Sequence, residues 1–193
     1  MIQDSFDVIF LSETWLTPYN FQSCCIKNYQ GLHTYRSDCR SGGISIFVKN
    51  NYAANPIDEL CVCNENIESC VVRISVGTFI FHAVGIYRPH SGTIESFTNE
   101  LEEILCNPLI NNGLVIVAGD MNVNLNLSSS SVLNYAATLN SLNYFSLINN
   151  NTRFSINDSD SIQCRSAIDH IWINECFSYE SYISQTLYSS FGS

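Results

Sequence analysis

The chain has 193 residues, 46% of them hydrophobic and 12% aromatic, enough for one sizeable core and consistent with a single domain over 1–193. Its net charge of −10 argues against a generic nucleic-acid binder, whose affinity comes from a basic surface. No apolar run approaches the length of a membrane span, and nine cysteines without a Cys-x-x-Cys spacing argue against a zinc site.

The first residues, Met1 to Asp7, show neither a basic segment nor a signal-peptide core. An intracellular setting is therefore expected, with the nucleus as one candidate compartment. Reduced thiols go with that setting, and Cys61 and Cys63 are too close to bridge each other.

Asp7 to Leu11 reads as a buried strand, with Glu13 directly after its end. A carboxylate there is a candidate hard-metal ligand, since magnesium takes one or two carboxylates plus water and phosphate. Asn20 to Arg40 reads as loop, with aromatic residues spaced through polar ones. Gly42-Gly43 opens an alternating strand, Ile44 to Val48, and Tyr52 to Glu65 reads as irregular. Ser69 to Val76 and Phe79 to Tyr87 read as a hairpin around Gly77-Thr78. The hairpin ends in Tyr87-Arg88, a phenol and a guanidinium that can both donate to a phosphate oxygen.

Thr93 to Leu105 reads as a helix, with Thr93 as cap and Phe97, Leu101, Ile104 and Leu105 on one face. A buried strand follows, Val115 to Gly119, and then Asp120 and Asn122. If the backbone stays extended, both side chains leave the same face. The carboxylate can then orient or deprotonate a water while the amide stabilises developing charge. The plain alternative is a strand closed by an Asx turn. Val132, Tyr135, Ala136, Leu139 and Leu142 mark a second helix. The last clear strand is Ala167 to Asn174. Asp169 and His170 are neighbours on it and so point to opposite faces, which rules against a catalytic dyad and leaves His170 to pack beside Trp172. Arg36, Arg40, Arg88 and Arg153 fall in expected loops near these stretches; they either form one basic rim or reflect the preference of arginine for loops.

Leu-Ser-Glu-Thr-Trp at 11–15, Gly-Ile-Tyr-Arg-Pro at 85–89, Gly-Asp-Met-Asn at 119–122 and Ala-Ile-Asp-His-Ile at 167–171 occur in that order. Together they resemble the endonuclease/exonuclease/phosphatase superfamily, in wording closest to the apurinic-endonuclease-like endonuclease domains of non-LTR retrotransposons. The resemblance implies an α/β (α+β) fold, a four-layer β-sandwich with helices packed on both sheets. It implies a phosphodiester hydrolase acting on the DNA backbone with Mg2+, or Mn2+ in its place. Glu13 would bind the metal, Tyr87 and Arg88 the phosphate, and Asp120 with Asn122 would act on the water and the developing charge. Asp169 would orient a histidine from a later Ser-Asp-His segment. A monomer is implied, with a reverse transcriptase domain as partner in a full-length element.

The family's first-strand asparagine and its Ser-Asp-His segment have no counterpart in the sequence, so a fold incomplete at both termini and weak activity are expected. The alternatives are a phosphatase of the same superfamily and a catalytically silent remnant that only binds or supports.

Overall fold

The computed structural model describes residues 6–37, 41–148, 150–156 and 162–174. Arg40 and the stretch after Asn174 lie outside these residues.

Three strands from the first part of the chain, β1 (Val8–Ser12), β2 (Tyr29–Thr34) and β3 (Ile44–Lys49), form an antiparallel sheet of order β1-β3-β2. Next come β4 (Ala53–Pro56), β5 (Glu68–Val76) and β6 (Phe79–Tyr87). They join β7 (Leu114–Asp120), β8 (Tyr144–Ser146) and β11 (Asp169–Asn174) in a sheet of order β4-β5-β6-β7-β11-β8. β9 (Arg153–Ile156) and β10 (Ile162–Ser166) pair with each other as a separate two-stranded sheet among the described residues. The parallel neighbours β6 and β7 are joined through helix α1 (Ile94–Leu105), the long crossover that a parallel pair needs.

The two larger sheets pack face to face. Ile44, Ile46 and Val48 of β3 meet Val72 and Ile74 of β5 and Ala83 of β6 in one buried cluster. The other face of the larger sheet carries α1 and helix α2 (Ser130–Ser141), through Phe97, Leu101, Tyr135 and Leu139. β5 and β6 are therefore covered on both sides, and consecutive residues are buried in each, Glu68 to Val72 in β5 and His82 to Tyr87 in β6. Each helix starts on a hydroxyl cap: Thr93 accepts from the Ser96 N–H and Ser129 from the Val132 N–H.

Both α-helices lie on the larger sheet, so among the described residues the expected α-helical cover of the smaller sheet has no counterpart. Two expectations are corrected. The stretch read as loop contains β2, in which Tyr29 and Leu32 are buried around polar Gln30 and Gly31; pairing with β3 holds this strand against weak local preference. The irregular stretch contains β4, a short edge strand ending in Pro56, the position a sheet leaves to proline.

Gly119 has φ +149, and a Cβ there would land on the Ile86 carbonyl oxygen of the neighbouring strand. Gly119→Ala should therefore spread β6 from β7 and cost about 2 kcal/mol or more of stability, read by urea denaturation.

Candidate active site

Strand register gathers the site. Glu68 of β5 is opposite Tyr87 of β6, Tyr87 is level with Asp120 of β7, and Asp120 is opposite Asp169 of β11. Residues level with one another on adjacent strands share a face, so these four side chains form one row across four strands. The row lies at the end of the sandwich, where β6 and β7 stop. Glu13 comes down from the other sheet, just past β1, and its Oε1 accepts a hydrogen bond from the Tyr87 hydroxyl at 2.8 Å.

Glu13 is held in place by backbone rather than by side-chain packing. It is exposed and has φ +54, as does Trp15 at +55, a conformation that costs a non-glycine residue energy and that clusters at functional sites. The loop is pinned by the Thr14 and Trp15 N–H groups, which donate to the Gly43 and Gly42 carbonyls at 3.3 and 2.8 Å. Gly42-Gly43 is in turn fixed by Glu68. This carboxylate is fully buried, accepts from the Gly43 N–H, and pairs with Arg36 Nε at 2.6 Å. A Cβ on Gly42, itself at φ +64, would strike the Glu68 carboxylate.

Sequence reading passed over Glu68, although a carboxylate opening an otherwise apolar strand next to Ser69 is a signal that can be read. Its position shows it to be a brace for the Glu13 loop.

Asp120 and Asn122 do not sit on an extended chain. Asn122 has φ +48, and its N–H donates to Asp120 Oδ1 at 2.9 Å, so the strand closes in an Asx turn. The turn still delivers both groups to the site. Asn122 Nδ2 donates to the Arg88 carbonyl at 2.8 Å. Arg88, expected to contact phosphate, is buried and its guanidinium bonds main chain. Nε donates to Met121 O at 3.0 Å, Nη2 to Asn122 O at 2.8 Å and Nη1 to Gly92 O at 2.8 Å. The Arg88 N–H also bonds Asp120 O at 3.0 Å. Arg88 therefore clasps the Asp120 to Asn122 turn instead of facing solvent.

The expected arginine rim dissolves accordingly. Arg36 and Arg88 are structural, exposed Arg153 lies in β9 rather than a loop, and Arg88 and Arg153 both act on the charge of Asp120.

Burial pushes Asp120 up to about 6, and the negative charges of Asp169 and Glu13 add to the effect, while the Asn122 N–H and Arg153 oppose it. Tyr87 is held well above an ordinary phenol, by burial first and then by its bond to Glu13, so it remains a proton donor at neutral pH. The Asp169 N–H donates to Thr152 Oγ1 at 3.1 Å.

His170 points away from this row. It is buried, with Nε2 donating to Val123 O at 3.0 Å and Nδ1 accepting from the Tyr135 hydroxyl at 2.9 Å. Its ring lies edge-on to Trp172 with centroids 6.2 Å apart. Burial pushes it down to about 4, so it is neutral and serves the helix-side core.

The donor set at the site is hard oxygen: the exposed Glu13 carboxylate with Asp120 close enough to feel its charge. Among the described residues no three His, Cys, Asp or Glu side chains form a ligand cluster. Such a site fits Mg2+, which keeps much of its water and takes a carboxylate or two plus substrate oxygens.

The model of the endonuclease/exonuclease/phosphatase family matches residues 2–190. The chain belongs to that family. Its fold is similar to the endonuclease domain of TRAS1, a telomere-specific non-LTR retrotransposon, with TM-score 0.68 and 17% identity over 89% of this chain and 74% of that one. It is also similar to a 3′ phosphatase, NExo, from Neisseria, bound to a product DNA hairpin (TM-score 0.63, 12% identity, 90% and 79% covered). A third similar structure is D. rerio TDP2 with a single-strand DNA product (TM-score 0.59, 15% identity, 87% and 70% covered). No curated protein matches the chain.

Two outcomes test this geometry. A carboxyl whose folded pKa lies near 6, above its ordinary 3.8, binds its proton more tightly when folded. Its contribution to stability is full below 3.8 and is lost as pH rises through about 6. Asp120→Asn, unfolded in chelator, should therefore be more stable than the parent at pH 7 by about 1 kcal/mol, after discounting for solvent screening, and lose that part of the pH dependence between 4 and 6. Glu68→Ala should cost about 3 kcal/mol in the same assay, because it leaves Arg36 and the Gly43 N–H without their carboxylate.

Proposed function

We propose that this protein is a metal-dependent phosphodiester hydrolase acting on DNA, of the kind found as the endonuclease domain of non-LTR retrotransposons. The observation that carries the reading is the row Tyr87, Asp120 and Asp169 with Glu13 bonded over Tyr87. Family membership supports hydrolysis at phosphorus. The similarity to the TRAS1 endonuclease domain and the Glu13-Thr14-Trp15 and Tyr87-Arg88-Pro89 wording support the retrotransposon assignment. Trp15 is 52% exposed next to Glu13, where an indole face can stack on a nucleobase; that favours DNA over a small phosphorylated substrate.

In this reading Glu13 holds Mg2+, which when bound supplies Lewis-acid stabilisation of a phosphate oxygen. Asp120 takes the proton of the attacking water. A pKa of about 6 leaves it ionised at neutral pH while keeping it more basic than a free carboxylate. Tyr87 keeps its proton, orients Glu13, and can pass its hydrogen bond to a phosphate oxygen. Asn122, anchored to the Arg88 carbonyl, has a second amide N–H to place against developing charge. Asp169 raises the basicity of Asp120 from the next strand. By family resemblance, it also orients an imidazole that is not His170.

Plasmid nicking with Mg2+ tests the proposal. The parent should relax supercoiled DNA, and Asp120→Ala should lose on the order of a hundredfold in rate, the cost of removing one group that acts on the transition state. Tyr87→Phe should lose less and weaken metal dependence. Release of phosphate from a phosphomonoester without nicking would move the assignment to a phosphatase of the same family. Mg2+-independent binding with neither reaction would leave a catalytically silent domain.

A further inference from the structure

Away from the active-site row, two cysteines face each other across a short antiparallel ladder. Cys63 forms an isolated bridge with Glu68, and the bridge is flanked by two bonds: Asn64 N–H to Ile67 O at 3.0 Å and Ser69 N–H to Val62 O at 2.8 Å. That pattern makes 63 and 68 a non-hydrogen-bonded pair. Two residues further along each segment lie Cys61 and Cys70; there the ladder gives way to side-chain bonds, with the Val62 N–H on Ser69 Oγ and the Ser69 hydroxyl on the Leu60 carbonyl.

The Val71 N–H donates to Cys61 Sγ at 3.3 Å, so this sulfur lies against the backbone that carries Cys70. Both cysteines are free, Cys70 buried and Cys61 half-buried. They line one cleft of about 390 Å³, together with Phe21, His33 and Asp58, so a small solute reaches the pair from one side.

We infer that Cys61 and Cys70 are a dithiol that peroxides oxidise to a disulfide, with Cys61 as the attacking thiolate and Cys70 as the resolving thiol. The Cys61 sulfur attacks one peroxide oxygen, the O–O bond breaks, and the departing hydroxide takes up a proton as water. Cys61 is then a sulfenic acid. Cys70 gives its proton to solvent, its sulfur attacks the Cys61 sulfur, the S–O bond breaks, and a second water leaves. The two sulfurs together lose two electrons, and the two peroxide oxygens gain them.

The division of roles follows the surroundings. The neighbouring Cys70 thiol, with the Val71 N–H, pulls Cys61 below an ordinary thiol against burial and the charge of Asp58, which favours its thiolate. The same contact, with burial, pushes Cys70 up, so it waits as a thiol until the sulfenic acid forms next to it.

Peptide mapping under non-reducing conditions after treatment with hydrogen peroxide tests the inference. The expected result is a linked pair of peptides carrying Cys61 and Cys70, with loss of both thiols and recovery in dithiothreitol. Cys70→Ala, an apolar replacement at the buried position, should stop the reaction at a Cys61 sulfenic acid that dimedone captures. Cys61→Ser should leave Cys70 unmodified. Circular dichroism of each variant separates these outcomes from unfolding. Linkage of Cys61 or Cys70 to any other cysteine would overturn the assignment, as would dimedone capture at Cys61 of the parent with no linked peptide.

Discussion

The site depends on the register of four neighbouring strands. Side chains on a strand alternate faces, so a slip of one residue between β6 and β7 would send Asp120 to the helix side and leave Gly119 level with Tyr87. Two features hold the register where it matters. Gly119 lets the β7 backbone press against the Ile86 carbonyl, a distance no larger residue tolerates. One residue further, the Arg88 N–H bonds the Asp120 carbonyl, and the guanidinium locks the carbonyls beyond it. The apolar cores on both faces then make slippage expensive, because every buried side chain would move with the strand.

The same row concentrates negative charge. Glu13, Asp120 and Asp169 approach one another at the end of a low-dielectric sandwich, and the raised proton affinity of Asp120 records the cost. Fixed donors offset part of it: the Tyr87 hydroxyl on Glu13 and the Asn122 N–H on Asp120. Of the arginines nearest in sequence, Arg36 is committed to Glu68, while Arg88 bonds main chain and still attracts Asp120 by its charge. A divalent cation is the natural complement of such a site under the proposed reading. It also offers an acidic protein a way to meet a phosphate backbone without a basic surface.

Strain and bracing divide the labour. Glu13, Trp15 and Asn122 all hold positive φ at the site, and each is fixed by bonds from a neighbouring element rather than by its own preference. Glu68 supports the first two through Gly42-Gly43, and Arg88 supports the third. Removing either support would loosen a reacting group without touching it.

The strands from Ile44, Ser69, Phe79 and Val115, both helices, and the carboxylates and phenol at the strand ends could all be read along the chain. Their signals are local: apolar periodicity, a hydroxyl cap, a glycine where a strand stops. Even the opposite facing of Asp169 and His170 follows from alternation alone. β2 and β4 could not be read so, because pairing with β3 and β5 holds them against their own composition. Arg88 shows the limit most plainly. Its motif marks it as a phosphate donor, yet the turn after β7 folds back to accept from Nε and Nη2, and the loop before α1 accepts from Nη1. Nor could Glu68 be paired with Arg36, or Cys61 with Cys70, from the chain alone. The composition along a strand states which groups exist and which face they share, whereas the strand that lies next to them decides what each group touches.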